Sequence, residues 1–187
     1  MTTLVFKNRP NELVTTTDGR KIWASRSVAV VMVAIAQILT GKNHAEIYVA
    51  IGKRGKAMPD KSGFWNLPCG YLDFAEAGYE AAKRESWEEI GLNVDEILNE
   101  KEVIFTHLDQ PWHVKSEPDE NRQNVTLRYG FFFKSIESLP KLIANNCCEE
   151  NEVEEALWVN MKDLDKYEFA FGHDKVIKNY WNMLGEA

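Results

Sequence analysis

Apolar residues along the chain are arranged mainly in the pattern of buried strands. Residues 27 to 36 read SVAVVMVAIA, an almost unbroken apolar run that is rich in valine. Such a run predicts a strand covered on both faces, because a strand with one solvent face would alternate with polar residues. Further strand patterns occupy residues 46–51, 102–107, 125–134 and 156–160.

Two other segments have the spacing of helices. The first runs from about residue 75 to 90 and stops at Gly91, a residue suited to end a helix. The second runs from residue 174 to 184, with apolar side chains at Val176, Ile177, Tyr180 and Leu184. Strands mixed with two substantial helices predict an α/β fold with a mixed sheet.

The remaining segments predict turns and loops. Asp18-Gly19 lies between two short apolar stretches, which favours a hairpin or arm within residues 1–26. Residues 109–124 contain two prolines and few apolar residues, as is typical of a loop. Short helical turns are expected within residues 138–146 and after Met161. We expect the 187 residues to form a single domain.

Composition narrows the choice of partners. Apolar residues make up 44% of the chain and charged residues 27%, which are the proportions of a globular protein. The net charge of −7 argues against a nucleic acid polymer as partner, because such surfaces need clustered Lys and Arg. A small phosphorylated substrate remains compatible with this charge, since a bound metal ion can supply positive charge locally.

Signals for membrane insertion and secretion are absent from the sequence pattern. The longest apolar run extends only loosely to Leu39, short of the roughly 20 residues that a membrane span needs. The first residues have no basic segment followed by an apolar one, so no secretion signal is expected. Three cysteines, two of them adjacent, do not form a disulfide framework. We therefore expect a cytoplasmic protein with reduced thiols.

Three acidic residues share one face of the first predicted helix. Glu85, Glu88 and Glu89 are three and four positions apart, and residues at these spacings are neighbours on a helix surface. Like charges placed together destabilise a helix, so something must offset them. A hard divalent cation such as Mg²⁺ is the simplest candidate, because it binds carboxylate oxygens and substrate phosphates.

The spacing of these residues resembles the Nudix box. That motif has Gly, five residues, Glu, seven residues, and then Arg-Glu-apolar-x-Glu-Glu-x-Gly-apolar. Ser86 stands where an aliphatic residue is usual, and we expect it to face the sheet and bond to a carbonyl one turn earlier. Residues 65–70 and 154–159 resemble the family's flanking segments. The matching positions are Gly70, Glu76, Arg84, Glu85, Glu88, Glu89, Gly91 and Leu92.

The resemblance implies both a fold and a reaction. The fold would be a Nudix-type α/β/α sandwich with a mixed β-sheet, in which the box forms a catalytic loop–helix–loop. The reaction would be hydrolysis of a phosphoanhydride bond in a nucleoside diphosphate linked to another group, with Mg²⁺ as cofactor and Mn²⁺ as a substitute. A nucleoside triphosphate, an ADP-ribose-like compound and a dinucleotide all remain open as substrates.

Roles can be carried over position by position. Glu88 and Glu89 would be metal ligands, Glu85 would be a ligand or the general base, and Arg84 would orient Glu85 through a charge-assisted hydrogen bond. The catalytic set is thus Glu85, Arg84 and Glu89. The backbone carbonyl of Cys69, next to the catalytic loop, is a further candidate metal ligand. Glu76 is expected about half a turn from Glu85 around the helix, where it is either structural or joined through water to an outer metal, and on that geometry we favour the structural role.

The general base has a second candidate in an acidic loop before the last strand. In parts of the family this base comes from a loop far along the chain. Glu149, Glu150 and Glu152 occupy such a loop here. An ordinary solvated acidic loop explains the same residues, and for any single one of them that explanation is preferred.

Arg54 and Trp112 are the candidate substrate-binding residues. Arg54 follows a strand close to the box and could bind a phosphate, although an exposed cation at a strand end fits equally well. Trp112 lies in the polar segment 109–124, has little core to join, and could stack on a base. The four histidines form no cluster in the sequence, and none is assigned a catalytic role.

An alternative function stays open beside hydrolysis. Some members of the family bind a nucleotide sugar without cleaving it and act as regulators, usually with a degraded box and an added DNA-binding domain. The box here is intact, so the enzyme is favoured. A small nucleotide or nucleoside diphosphate derivative is the expected partner, with no membrane, and a homodimer is left open.

Overall fold

A mixed β-sheet between helices forms the body of the molecule. The computed structural model describes residues 12–24, 28–39, 44–73, 75–117, 124–135, 138–147 and 151–185. Its strands are β1 (Glu12–Thr15), β2 (Lys21–Ala24), β3 (Val28–Leu39), β4 (Ala45–Arg54), β5 (Trp65–Asn66), β6 (Cys69–Tyr71), β7 (Glu102–His107), β8 (His113–Lys115), β9 (Val125–Ser135) and β10 (Val153–Asn160). Its helices are α1 (Gly78–Ile90), α2 (Val94–Glu100) and α3 (His173–Gly185), with 3₁₀ turns at Met161–Lys166 and Ala170–Gly172.

The main sheet has the strand order β10-β4-β3-β9-β7, and three short strands extend it. Strand β3 runs parallel to β9, whereas its pairings with β4 and β6 are antiparallel. The predicted mixed sheet is therefore confirmed. The apolar run at the start of β3 lies at the centre of this sheet, where neighbouring strands and helices cover it on both faces.

Alternate residues of β3 divide the core into two layers. Val30 and Met32 belong to a buried cluster with residues of α1 and α2. Val31 and Val33 belong to a second cluster with residues of α3, including Tyr180. This alternation follows from the period of two in a strand, and it gives the predicted α/β/α layering.

Helix α1 is shorter at its start than predicted. It begins at Gly78, not near Ala75, which has a left-handed backbone with φ of 61°. The carboxylate of Glu80 accepts a hydrogen bond from the Ala77 backbone N–H at 3.0 Å and so caps the first turn. At the other end Gly91 adopts a left-handed conformation with φ of 65°, as its sequence position predicted.

Ser86 occupies the position predicted for it. Its side chain is fully buried, and its hydroxyl donates a hydrogen bond to the carbonyl oxygen of Ala82 at 2.7 Å. The departure from the usual aliphatic residue is therefore accommodated by a local bond within the helix.

Three segments differ from the predictions. The segment 109–124 contains strand β8, which pairs with β9, so it is not wholly a loop. Residues 138–146 form no helical turn; backbone N–H groups there bond to the last carbonyls of α1 instead, as Ile143 does to Ile90. Strands β5 and β6 and helix α2 were not anticipated, because short elements carry too little periodicity.

At the N-terminal end, β1 and β2 form the predicted hairpin around Asp18-Gly19. The rest of the predicted arm, residues 1–11 and 25–26, lies outside the described residues. Within the described ranges no helix combines the length and apolarity that a membrane crossing requires. The single-domain organisation and the cytoplasmic location stay predictions.

Candidate active site

The three predicted glutamates lie together on helix α1, beside strand β6. Glu85 and Glu89 are buried, with 8% and 5% of their surfaces exposed, and Glu88 is half-buried. Burying carboxylates is costly unless they are paired or bind a cation. The acidic face is therefore part of the folded interior and not a solvated helix surface.

Arg84 holds this acidic group together. Its Nη1 donates hydrogen bonds of 2.8 Å to Glu85 Oε1 and 2.8 Å to Glu88 Oε2. Its Nε and Nη2 donate to the two carboxylate oxygens of Glu76 at 2.8 and 3.0 Å. Burial lowers the pKa of the guanidinium, but the hydrogen bond to Glu76 and the charge of Glu85 outweigh burial and raise it. The predicted hydrogen bond between Arg84 and Glu85 is present.

Glu76 lies before α1 and not on it, so the helical geometry predicted for it is wrong. Its carboxylate accepts a hydrogen bond from the Asp73 backbone N–H at 3.0 Å while it pairs with Arg84. Both contacts fix the loop that leads into α1. A structural role for Glu76 therefore stays our prediction, now with a different physical reason.

The segment before the helix approaches the carboxylates closely. A Cβ atom at Gly70 would overlap the carboxylate of Glu85, so glycine alone leaves room for that side chain. The backbone N–H of Cys69 donates a hydrogen bond to Glu89 Oε2 at 3.1 Å. The Cys69 thiol is buried, and burial raises its pKa to about 12, so it stays protonated. Metal binding by its carbonyl remains a prediction.

The two buried carboxylates resist ionisation. Burial raises the pKa of Glu85 to about 7, even though the charge of Arg84 lowers it. The pKa of Glu89 lies well above its ordinary value because of burial and the charge of Glu85. In both cases Glu152 adds a further unfavourable negative charge. Positive charge supplied next to these oxygens would favour their ionised forms.

The donor chemistry of this group fits a hard divalent cation. Glu85, Glu88 and Glu89 offer carboxylate oxygens, the ligands that Mg²⁺ prefers, and two of them are buried with raised pKa values. In the part of the chain that the structure describes, no three His, Cys, Asp or Glu side chains are already spaced to hold an ion. Two of the glutamates instead contact Arg84.

Of the three candidate glutamates in the predicted acidic loop, the structure describes Glu152. The Gly55 backbone N–H donates to the Glu152 carbonyl oxygen at 2.7 Å, and Gly55 packs directly on the backbone of Asn151. These contacts hold the loop beside the end of β4. The charge of Glu152 acts on both Glu85 and Glu89, so it lies near them. Glu149 and Glu150 lie outside the described residues.

Arg54 is not the exposed strand-end cation that was considered as an alternative. Only 6% of its surface is exposed, and its Nη2 forms a salt bridge of 2.7 Å with Asp60 Oδ1. Its guanidinium also lies 4.9 Å from the ring centre of Phe171. The charge of Arg54 lowers the pKa of Glu89, which places this arginine near the carboxylates. Phosphate binding by Arg54 stays a prediction.

Trp112 has more core to join than its polar segment suggested. Its backbone N–H donates to the carbonyl oxygen of Arg128 at 2.9 Å, and its ring centre lies 5.2 Å from that of Tyr180. The half-buried indole therefore packs on the second core cluster. The expectation that its loss would remove little core is wrong. Its stacking on a base remains untested and stays a prediction.

Sequence reasoning missed Arg128 and His173. Arg128 is the only charged residue within the stretch Val125 to Phe133, a signal that the strand pattern alone could have revealed. His173 begins α3 and is buried, and its Nδ1 accepts a hydrogen bond from the Leu67 backbone N–H at 3.0 Å. Burial and the charges of Arg128, Arg54 and Lys115 lower its pKa to about 3.

A shallow depression of about 490 Å³ lies between α1 and α2, on the outer side of the catalytic helix. Glu76 and Arg84 contribute to its wall, whereas Glu85, Glu88 and Glu89 do not. Because chemistry needs the carboxylates, we assign this depression no catalytic role.

Comparison with known proteins gives a consistent result for most of the chain. Residues 30–180 match the family described as the NUDIX domain. An RNA pyrophosphohydrolase of Bartonella bacilliformis is 24% identical over 128 residues, which cover 66% of this chain and 75% of that protein. An RNA pyrophosphohydrolase of Bartonella clarridgeiae is 24% identical over 145 residues, covering 73% and 83%.

Solved structures share the fold at lower identity. RenU, a Nudix hydrolase from M. smegmatis, superposes with a TM-score of 0.61 at 18% identity, covering 94% of this chain and 95% of RenU. The NUDIX domain of Shewanella oneidensis NrtR, complexed with ADP ribose, gives 0.57 at 17% identity, covering 86% and 89%. A C. elegans Ap4A hydrolase gives 0.57 at 16% identity, covering 87% and 100%.

Proposed function

Because the chain belongs to the NUDIX family, we propose that it uses Mg²⁺ to hydrolyse a phosphoanhydride bond in a nucleoside diphosphate linked to another group. The protein is a Nudix hydrolase of the diphosphatase type, and the proposal concerns its metal and its substrate. The observation that carries it is the buried carboxylate group of Glu85 and Glu89, with Glu88 beside it, set against Arg84 and Gly70.

The reaction needs negative charge to be neutralised and water to be activated. Water attacks one phosphorus atom, the bond to the bridging oxygen breaks, and the proton of the water passes to a base. Glu85, Glu88 and Glu89, with the Cys69 carbonyl, would hold Mg²⁺, which when bound polarises phosphoryl oxygens and lowers the pKa of bound water.

The chain's own residues hold the acidic group and accept the proton. Arg84 holds Glu85 and Glu88 in the same part of the site through charge-assisted hydrogen bonds. Glu85, if it is not itself a metal ligand, would accept the proton of the attacking water. Glu152, which lies close to the same group, is the second candidate base.

The substrate is proposed as a class. A nucleoside triphosphate, an ADP-ribose-like compound and a dinucleotide each contain the required anhydride. The similar proteins are described as RNA pyrophosphohydrolases, as a domain complexed with ADP ribose and as an Ap4A hydrolase, which together support a nucleotide-based substrate. Arg54 would bind a phosphate and Trp112 would stack on a base.

A phosphate-release screen tests this proposal. Nucleoside triphosphates, diphosphate sugars and dinucleotides are each incubated with the protein and Mg²⁺, Mn²⁺ or a chelator. We expect hydrolysis of at least one class with the metal, none with the chelator, and recovery when metal is added back. Full activity in the chelator would contradict the mechanism. Tight binding of a nucleotide sugar without hydrolysis would favour the regulatory alternative.

A further inference from the structure

Two buried hydrogen-bond donors on the α3 side of the sheet have no acceptor within the described residues. They are the Nε of Arg128 and the Nε1 of Trp112. The two residues are directly linked, since the Trp112 backbone N–H donates to the Arg128 carbonyl oxygen at 2.9 Å. Buried donors are almost always satisfied, and a pair left without acceptors in the same place points to a ligand that supplies them.

The charge around these donors is positive. Arg128 is half-buried, and its Nη1 lies 3.3 Å from His113 Nδ1, a neutral partner. No described carboxylate forms a salt bridge with it, and the only charge that raises its pKa is that of Glu117. Burial lowers the pKa of His173, and the charges of Arg128, Arg54 and Lys115 lower it further. In a chain with a net charge of −7, this local excess of cations suits an anionic ligand.

Strand pairing fixes the position of the donors relative to the carboxylates. Cys69, Val31, Arg128 and His113 are successive partners across β6, β3, β9 and β8, so their side chains share one face. Neighbouring strands are about 4.8 Å apart, which places the backbone of Arg128 roughly 10 Å from that of Cys69. The backbone N–H of Cys69 bonds to Glu89 of α1, so Cys69 lies beside the carboxylates while its side chain shares the face of Arg128.

Small side chains line part of this surface. Ala29 and Thr126 are partners two residues before Val31 and Arg128 and share their face, and both are half-buried. Two residues after Arg128, Gly130 packs against the ring of Tyr180, because a Cβ at Gly130 would lie only 2.6 Å from that ring. Tyr180 therefore bounds the surface on this side. Arg128 therefore lies between the small side chains of Ala29 and Thr126 on one side and the ring of Tyr180 on the other.

We propose that Arg128 and Trp112 form a subsite for a second phosphate of the substrate, at roughly two strand spacings from Cys69, whose backbone N–H bonds to Glu89. This inference rests on the proposed function. The guanidinium and the indole N–H both donate, and the planar guanidinium matches the oxygens of a phosphate. The second phosphate can belong to a longer phosphate chain or to a phosphorylated sugar at the far end of the substrate.

Matched substrate pairs test the subsite and identify the source of the phosphate. One pair is a dinucleoside triphosphate and the corresponding tetraphosphate. The other is ADP-ribose and the same compound with a phosphate on its terminal ribose. We expect kcat/KM to favour the more phosphorylated member of one pair by tenfold or more, and Arg128→Met to reduce that ratio at least tenfold. Trp112→Phe keeps an aromatic ring but removes the N–H donor together with the pyrrole part of the indole, so the ratio should fall about threefold.

Control variants distinguish an effect on the subsite from an effect on folding or on the reaction itself. Arg20→Met removes an exposed arginine that pairs with Asp18 and should leave the ratio unchanged. If Arg128→Met does not fold, Arg128→Lys keeps the charge, removes the Nε donor and should still lower the ratio. Affinities of both pairs for the Glu85→Gln protein give the same comparison without turnover.

Failure of the inference is distinct from failure of the proposed function. Equal kcat/KM and equal affinity within both pairs, or an unchanged ratio in Arg128→Met, would overturn the subsite even if hydrolysis proceeds. Absence of hydrolysis for every diphosphate and metal would overturn the proposed function, while the affinities would still decide whether Arg128 selects a second phosphate.

Discussion

The two sides of the sheet handle charge in opposite ways. On the α1 side, one arginine contacts the carboxylates of Glu76, Glu85 and Glu88, and every donor group of its guanidinium is used. On the α3 side, Arg128 has no carboxylate partner among the described residues and leaves its Nε without an acceptor. The first side has excess negative charge and the second has unused donors.

This difference indicates what each side lacks. A cation would stabilise the ionised form of carboxylates whose pKa burial has raised. An anion would accept hydrogen bonds from the donors that have no acceptor. A substrate phosphate bound together with Mg²⁺ supplies both charges at once. Variants that change one side of the sheet at a time test this difference.

Replacing Glu85 should have the largest effect on activity. Glu85→Gln keeps the shape and an acceptor for Arg84 but removes the carboxylate proposed as base or metal ligand, so we expect kcat to fall about a hundred- to ten-thousandfold. Glu80→Gln is the matched control, because Glu80 lies on the same helix and glutamine also serves at that capping position. Near-normal kcat in Glu85→Gln, with a large loss in Glu152→Gln, would assign the base to Glu152.

A methyl group at Gly70 should displace the same carboxylate without removing it. The added Cβ would overlap the Glu85 carboxylate, which Arg84 already holds in place. We expect Gly70→Ala to lower kcat by about a hundredfold, the scale of a misplaced catalytic group. Gly185→Ala, where nothing stands within 4 Å, is the control. Unchanged kinetics in Gly70→Ala would show that the position of Glu85 does not limit the rate.

On the α3 side, loss of Trp112 should affect stability as well as binding. Trp112→Ala removes a ring that packs on Tyr180. Since the indole is only half-buried, the free energy of unfolding should fall by about 2 kcal/mol, less than for a fully buried aromatic residue. Denaturant titration of Trp112→Ala and Trp112→Phe measures this. A loss that is equally large in Trp112→Phe would mean that the packing of the ring is not the cause.

A further effect should appear in the pH dependence of stability. His173 has a pKa of about 3 when folded, against an ordinary value near 6.5. Between these values the unfolded chain binds a proton that the folded chain does not, so stability is full above pH 6.5 and is lost as the pH falls toward 3. The slope from this residue is about 1.4 kcal/mol per pH unit.

His173→Gln should remove this slope, and the check is urea unfolding of both proteins at pH 7, 6 and 5. Stabilities that run parallel from pH 7 to pH 5 would contradict the prediction. Burial is the main cause of the low pKa of His173 and the charge of Arg128 adds to it, so Arg128→Met should leave the slope between pH 7 and 5 unchanged and end the loss of stability at a somewhat higher pH.

Local features of the structure were predictable from the sequence. The glutamate spacing on α1, the left-handed Gly91 and the back-bonded Ser86 depend on residues within one or two turns, and each was predictable from them. The apolar run of β3 identified the central strand for a similar reason, because the covering of both faces requires apolar residues at every position.

Contacts between residues far apart in the chain could be seen only in the tertiary structure. The burial of Arg54 depends on Asp60 and Phe171, and the packing of Trp112 depends on Tyr180, a residue of the last helix. The register of β6, β3 and β9 places Arg128 on the same face as Cys69. Such pairings are set by strand register and by contacts between remote segments, which no local pattern of hydrophobic and polar residues contains.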